Sequence, residues 1–196
     1  MHDPAIDITT MAISVALDER DRYTSRHCSR VAGLSVELGR QCGLAEHELQ
    51  LLRIAAGFHD VGKIGIPDSV LMKAGPFDSE DWVVMKTHPA RGQRIVLAAG
   101  LKDCERVGLA VRHHHERYDG GGYPDGIAGD GIPILSRIVA LADTYDAMAA
   151  ARSYARVQTH LQIMEVLQQE QGRQHDPYLL AKLVTLIEHS KFRNAS

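Results

Sequence analysis

The chain has no run of apolar residues long enough to cross a bilayer, and its N-terminus, with His2, Asp3 and Pro4, lacks the basic and apolar stretches of a secretory leader. The expectation is a cytoplasmic protein with no membrane span. Cysteine is scarce: Cys28, Cys42 and Cys104 are odd in number, widely spaced and form no C-x-x-C pair. They support neither a disulfide framework nor a zinc ribbon, and read as small core residues. Positive charge is not in excess, since 22 Lys and Arg face 25 Asp and Glu for a formal net charge of −3. A surface of that kind gives no electrostatic footprint for duplex nucleic acid, so an anionic ligand would need a local cluster of cations. Convincing strand patterns are missing, as are internal repeats, low-complexity tracts and any linker that would divide the chain.

What is present suits one globular domain. With 196 residues, 44% hydrophobic and 5% aromatic, the chain is long enough to bury most of its apolar surface. Helical periodicity recurs along it, so the expected fold class is all-α. Val31, Leu34 and Leu38 form one buried stripe on a helix that closes at Gly43. The next helix starts near Ala45, turns Leu51, Leu52, Ala55 and Phe58 inward, delivers His59 and Asp60 at its end, and is broken by Gly62. Asp78 is a fitting N-cap for a helix holding Trp82 and Met85, after which Pro89 imposes either a kink or a fresh first turn. Val107, Val111 and His114 share a stripe, with His115 about 100° further round. Asp119-Gly120-Gly121-Gly122-Tyr123-Pro124, with Gly126, Gly129 and Gly131, is too rich in glycine for helix or strand. Ile138, Val139 and Ala142 rebuild a helix whose Asp143 lies on an otherwise small and apolar face. Thr159 with Gln162 makes a capping box for a helix through Leu161, Met164 and Leu167, and Asp176-Pro177 starts the last one, with Leu180, Leu183, Val184 and Ile187 in register.

Histidine is abundant, with eleven in the chain. His59-Asp60, His88, His114-His115 and Asp143 each fall at the end or on the face of an expected helix. A lone histidine on an apolar face is usually a core residue bonded to a backbone carbonyl. Ionisable groups are expensive to bury unless paired or metal-bound, so several separate segments carrying them argue for convergence on one site able to hold two metal ions.

The motifs H-D-x-G-K at 59–63, I-P at 66–67, H-P at 88–89 and H-H-E-R-Y-D-G-G-G-Y-P at 114–124 occur in order, followed by Gly126, Gly129, Ile132-Pro133, Arg137, Ala-Asp-Thr-Tyr-Asp-Ala at 142–147 and Asp176-Pro177. This ordered series, over roughly residues 20 to 180, resembles the HD-GYP family, and is far more specific than any one of its members. The resemblance implies an HD-superfamily helical bundle with a glycine-rich Gly-Tyr-Pro loop, residues 21–196 forming the catalytic domain and 1–20 an N-terminal helix or linker. It implies a phosphodiesterase that opens cyclic di-GMP to linear pGpG, and possibly on to GMP, with a hydroxide bridging two metals. His27, His59, Asp60 and Asp143 would bind one ion and His88, His114 and His115 the other, with Asp60 bridging. Mixed imidazole and carboxylate ligands suit iron first and manganese second over a closed zinc site. Lys63 would contact one phosphate and Arg152 hold the other, Tyr123 would contact the ligand from the glycine-rich loop, and Asp146 would support the ligands, cap or be solvated. A diguanylate cyclase (GGDEF) domain is a partner the loop would serve.

Departures from the pattern qualify the resemblance. A glutamate that binds a third ion in some members is Tyr23 here, so two ions are expected. Tyr118 replaces a tryptophan, Ser153 a proline, His175 a phenylalanine, and Ala155 beside Arg156 a basic residue that follows the arginine. None of these removes a ligand. The alternatives are an HD phosphohydrolase acting on another cyclic dinucleotide or a nucleotide, or a low-turnover signalling module that binds cyclic di-GMP or a cyclase. His2, His47, His113, His160, His175 and His189 are left as surface or packing residues. Ile8, Met11 and Val15 form a short apolar stripe whose default reading is a helix packed on its own domain.

Overall fold

A computed structural model of the chain describes residues 4–20, 22–100, 102–149 and 158–194. The described residues form ten α-helices and no strand, in agreement with the all-α expectation. They are α1 (Pro4–Arg20), α2 (Arg22–Gln41), α3 (Glu46–Phe58), α4 (Asp68–Leu71), α5 (Ser79–Met85), α6 (His88–Ala98), α7 (Cys104–Arg112), α8 (Ile134–Ala149), α9 (His160–Gln169) and α10 (Pro177–Ile187). Short 3₁₀ turns occupy Val61–Gly65 and Gly129–Gly131.

The expected local signals do their work. Gly43 takes φ 78°, a conformation costly for other residues, and lets the chain reverse after α2 while Leu44 N–H donates to Gly39 O at 3.0 Å. Asp78 accepts from the amides of Glu80 and Asp81, Thr159 and Gln162 cap α9 reciprocally, and Asp176 accepts from Tyr178 N. Pro89 lies in the first turn of α6, so it starts a new helix at His88 and does not kink an existing one.

Helices α2, α3, α7 and α8 pack around a core that includes Leu34, Leu38, Leu52, Val107, Val111, Ile138 and Val139. Helix α10 closes one side with Leu179, Leu180, Leu183 and Ile187. A small satellite cluster of Ile66, Val70 and Met85, with Phe77 against it, holds α4 to α5. Cys28 is buried, Cys42 and Cys104 are half-buried, and all three thiols are free.

The helix expected through Leu161, Met164 and Leu167 forms from the Thr159 cap, with His160, Ile163, Met164 and Leu167 inward and Leu161 78% exposed. Two expectations need correction. Helix α1 does pack on the domain, but through Leu17 and Ile13, so Met11 and Val15 face solvent; the side chain of Ile8 lies outside the described residues. Gly62 is not the breaker of α3, which ends at Phe58. Its φ is not positive, and the need for glycine is one of space: a Cβ there would collide with the backbone carbonyl of His88 and the amide of Gly92. Turn 61–65 and the start of α6 therefore touch backbone to backbone, and this brings Asp60 and His88 together.

Gly62→Ala should push that turn off α6. We expect a loss of about 1–3 kcal/mol, read as a lower urea midpoint at unchanged slope. An unaltered midpoint would show that the contact is not tight.

Candidate metal centre

Three helices end at one place. His59 follows the last residue of α3, His88 comes three residues after the end of α5, and His114 two after the end of α7. The last turn of any helix leaves carbonyls without an intrahelical partner. Each of these histidines uses one, three residues back in its own chain: Nδ1 of His59 donates to Ala56 O at 2.7 Å, His88 to Met85 O at 2.8 Å, and His114 to Val111 O at 2.6 Å. With Nδ1 committed as donor, Nε2 of each ring is left as the acceptor, and it points inward.

Asp60 lies at the centre and is 3% exposed. Its two oxygens face different ways. Oδ1 is 3.3 Å from His88 Nε2, while Oδ2 is 3.6 Å from His59 Nε2 and 2.6 Å from Lys63 Nζ. Across the site, Asp143 Oδ1 bonds His27 Nε2 at 2.8 Å and lies 3.8 Å from His59 Nε2. His27 Nδ1 in turn meets Asp146 Oδ2 at 2.7 Å, and Arg30 grips both oxygens of Asp146 at 2.8 Å. Asp146 thus orients His27. The rings of His114 and His115 are 4.0 Å apart, and His115 also stacks on Tyr123 at 4.9 Å and 28°.

Electrostatics follow from burial and crowding. Burial works against a charged Asp60, yet Lys63, His59 and His88 hold its pKa well below the carboxylate range. Asp143 is likewise held low against its burial by the His27 hydrogen bond and by His59. Burial and the neighbouring imidazoles push His115 down to about 3, and burial lowers His88 and His114. These three rings are neutral near pH 7 and available as ligands. Burial opposes the charge on Lys63 too, but Asp60 raises its pKa, so it remains an ammonium.

The donor set fits a metal. Nε2 of His59 is buried without a hydrogen-bond partner, and Nε2 of His88 faces Nε2 of His114 at 3.4 Å, a pair of acceptors that a cation would reconcile. Ligand atoms of Asp60, His88, His114 and His115 lie within 4.8 Å of one another, and so do those of His27, His59 and Asp60. Six of the seven expected ligands fall in these two groups, with Asp60 common to both, and Asp143 adjoins the second group through His27 at 2.8 Å and His59 at 3.8 Å. Lys63 and Tyr123 border them. Arg152, Ser153, Ala155 and Arg156 lie outside the described residues, as does the side chain of Tyr23.

The histidines set aside in the sequence divide. His47 and His189 are exposed, whereas His113, His160 and His175 are buried. His113 Nε2 meets Asp125 Oδ2 at 2.9 Å, Arg112 takes both oxygens of Asp125, and Glu116 Oε1 accepts from the amides of Asp125 and Gly126 at 2.7 and 3.2 Å. His113, Glu116 and Asp125 are close enough to hold an ion, but Asp125 is already saturated by a guanidinium, and the group works as a clamp on the glycine-rich loop. Gly122 has no room for a Cβ against the backbone of Glu116 and Arg117, and Tyr123 N donates to His115 O at 3.1 Å. The clamp sets Tyr123 over His115. The H-H-H-E run followed nine residues later by Asp was the visible signal, but the pairing of Asp125 with Arg112 was not.

A helical bundle with buried His and Asp residues gathered at helix C-termini defines an HD-type metal-binding domain. The chain belongs to the HD domain family, in its HD-GYP form: the profile described as "HD domain" matches residues 11–179. It is 39% identical over 169 residues to the cyclic di-GMP phosphodiesterase response regulator RpfG of Xanthomonas campestris pv. campestris, covering 86% of this chain and 45% of that protein. It is 40% identical to 3'3'-cGAMP-specific phosphodiesterase 2 of Vibrio cholerae, over 89% of this chain and 33% of that one. A cyclic di-GMP phosphodiesterase of Thermotoga maritima shares 33% identity, over 89% and 47%. The chain thus spans less than half the length of these curated relatives. Among solved structures, Bd1817, an HDG"Y"P protein from Bdellovibrio bacteriovorus, superposes with TM-score 0.68 at 22% identity, covering 84% of this chain and 52% of that one. The PgpH HD domain of L. monocytogenes, solved with cyclic-di-AMP, gives 0.64 at 16%, over 92% and 98%. These two likenesses concern the fold.

His175 supplies a pH prediction. It is 2% exposed, its Nε2 has no partner, and burial lowers its pKa to about 4. A base whose folded pKa lies below its unfolded value contributes stability that is complete above about pH 6.5 and is lost as pH falls through about 4. His175→Phe removes that loss. Between pH 7 and pH 4 the stability difference should move in favour of the variant by about 3 kcal/mol, measured by urea denaturation at each pH. A pH-independent difference would show that His175 stays uncharged in the unfolded chain or finds a partner when folded.

Proposed function

We propose that the chain is a metal-dependent phosphodiesterase of cyclic dinucleotides, with cyclic di-GMP as substrate and linear pGpG as product. The observation that carries this reading is the placement of Asp60, whose two oxygens face two separate groups of histidines. The names of the curated relatives support the substrate class. The similarity to a 3'3'-cGAMP-specific enzyme favours that dinucleotide as the second reading.

His27, His59, Asp60 and Asp143 would hold one divalent ion, and His88, His114, His115 and the second oxygen of Asp60 the other; iron is the first choice and manganese the second. Two such ions supply Lewis-acid polarisation of the phosphodiester and a water acidified to act near neutral pH. The chain's own residues do the rest. Nδ1 bonds to backbone carbonyls hold His59, His88 and His114 in the ligating tautomer. Asp146 orients His27, whose pKa is raised against its burial to about 9 by Asp143 and Asp146, so that it would give up its Nε2 proton on taking an ion. Lys63, kept charged by Asp60, would turn to a phosphate oxygen once that carboxylate is shared with cations. Tyr123, whose hydroxyl is kept protonated by burial and by Asp60 and Asp143, would donate to substrate from the loop side. A GGDEF partner for the loop belongs to the same proposal.

Wild-type protein loaded anaerobically should hold two ions per chain. Asp60→Ala should lose most of both and all hydrolysis while keeping the helical circular dichroism, and full occupancy by elemental analysis would remove Asp60 from the site. Lys63→Ala should keep both ions and lower kcat about a hundredfold. An unchanged kcat would return Lys63 to the role of a structural counter-ion.

A further inference from the structure

Lys86 is the last residue before the Thr87-His88 step, at the C-terminal end of α5, and it is exposed. Its Nζ lies over the ring of Tyr123, 5.4 Å from the centroid, and Tyr123 is the residue stacked on His115. The chain therefore places an ammonium beside the aromatic wall of the candidate metal centre. Other described cations of this region are engaged: Lys63 by Asp60, Arg30 by Asp146, Arg112 by Asp125, and Arg117 by Asp119 and Glu170. Among the described residues no carboxylate forms an ion pair with Lys86.

We infer that Lys86 is a substrate-binding residue that grips the phosphate of a cyclic dinucleotide not being hydrolysed, with the Tyr123 ring holding the ammonium in place beforehand. This rests on the reading given under Proposed function. A cyclic dinucleotide carries two phosphodiesters in one ring, so when one is presented to Asp60 and the histidines the other must lie to the side. A second anion there needs a cation that is not already paired. Arg152, expected from the resemblance to hold it, lies outside the described residues, and Ala155 stands where some members carry a further basic residue, a charge Lys86 would supply. An exposed ammonium on an aromatic face is weakly held, whereas its hydrogen bond to a phosphate oxygen is charge-assisted and stronger. The flexible four-carbon stem lets Nζ leave the ring without moving the backbone next to His88. Lys86 belongs to no motif that marked the site in the sequence, and only the folded loop brings Tyr123 to it.

The test compares wild type, Lys86→Ala and Lys86→Arg on cyclic di-GMP, on 3'3'-cGAMP and on bis(4-nitrophenyl) phosphate, which has a single phosphodiester. Metal content is measured in parallel. For the cyclic dinucleotide hydrolysed, Lys86→Ala should raise KM about tenfold, the loss of one charged contact, with two ions retained. Its kcat should stay within about twofold of wild type. The variant's KM should also rise less steeply with added salt. Lys86→Arg should restore most of the affinity, and bis(4-nitrophenyl) phosphate should be cleaved equally by all three proteins. Unchanged KM for the dinucleotide would overturn the inference, and so would an equal loss on both kinds of substrate, which would mean that Lys86 acts on the centre through Tyr123 or His88. If wild type cleaves the simple diester but neither dinucleotide, the function itself is misassigned and Lys86 has no second phosphate to hold. That failure is distinguishable because it appears in the wild type.

Discussion

The structure is organised around one buried carboxylate. Asp60 is ionised, almost free of solvent and ringed by His59, His88 and Lys63. An isolated carboxylate in that position would be prohibitively costly. Several features of the fold serve to make it tolerable: the backbone contact at Gly62 that presses the turn against α6, the ammonium of Lys63, and the imidazoles on both sides. A divalent cation would complete the compensation more fully than the single ammonium does. A charged centre of this kind and a hydrophobic bundle around it are therefore parts of one design, since the core supplies the rigidity that keeps the charges at their distances.

The way the imidazoles are supplied has a simple physical basis. Helices α3, α5 and α7 all run their C-terminal ends into the site, where unpaired carbonyls and the negative end of the helix dipole gather. A histidine placed just past such an end satisfies a carbonyl with Nδ1 and offers Nε2 to a cation. One local device, repeated on three helices, produces the tautomer, the ring orientation and a favourable field for positive charge. His27 and His115 are the exceptions: the ring of His115 is stacked on Tyr123, and His27, in the second turn of α2, has Asp146 and Arg30 to do for it what a backbone carbonyl does for His59, His88 and His114.

The glycine-rich segment joins this centre from the opposite side. Without helix or strand of its own, it is held by Glu116, His113, Asp125 and Arg112, and by the amides of Tyr118 and Asp119 bonding to Gln174 O and Arg173 O. Its order comes from side chains and from the connection between α9 and α10. That is why a segment with so little intrinsic structure can place Tyr123 against His115 and beneath Lys86.

Much of this was legible in the chain itself, and for a definite reason. Helical class, the caps at Asp78, Thr159 and Asp176, and the seven candidate ligands are local or ordered patterns, governed by periodicity, by capping chemistry and by the types of side chain that bind cations. Phase and proximity are different in kind. That Leu161 faces water, that Met11 and Val15 do not pack inward, and that Gly62 is required for space are consequences of which surfaces meet. The reach of Asp60 Oδ1 to His88, the contacts of Asp146 with His27 and Arg30, the Arg112–Asp125 clamp and the meeting of Lys86 with Tyr123 join residues between 13 and 119 positions apart. Sequence alone determined which groups were available; tertiary structure decided which of them face one another, because contact across the bundle depends on packing that no single segment encodes.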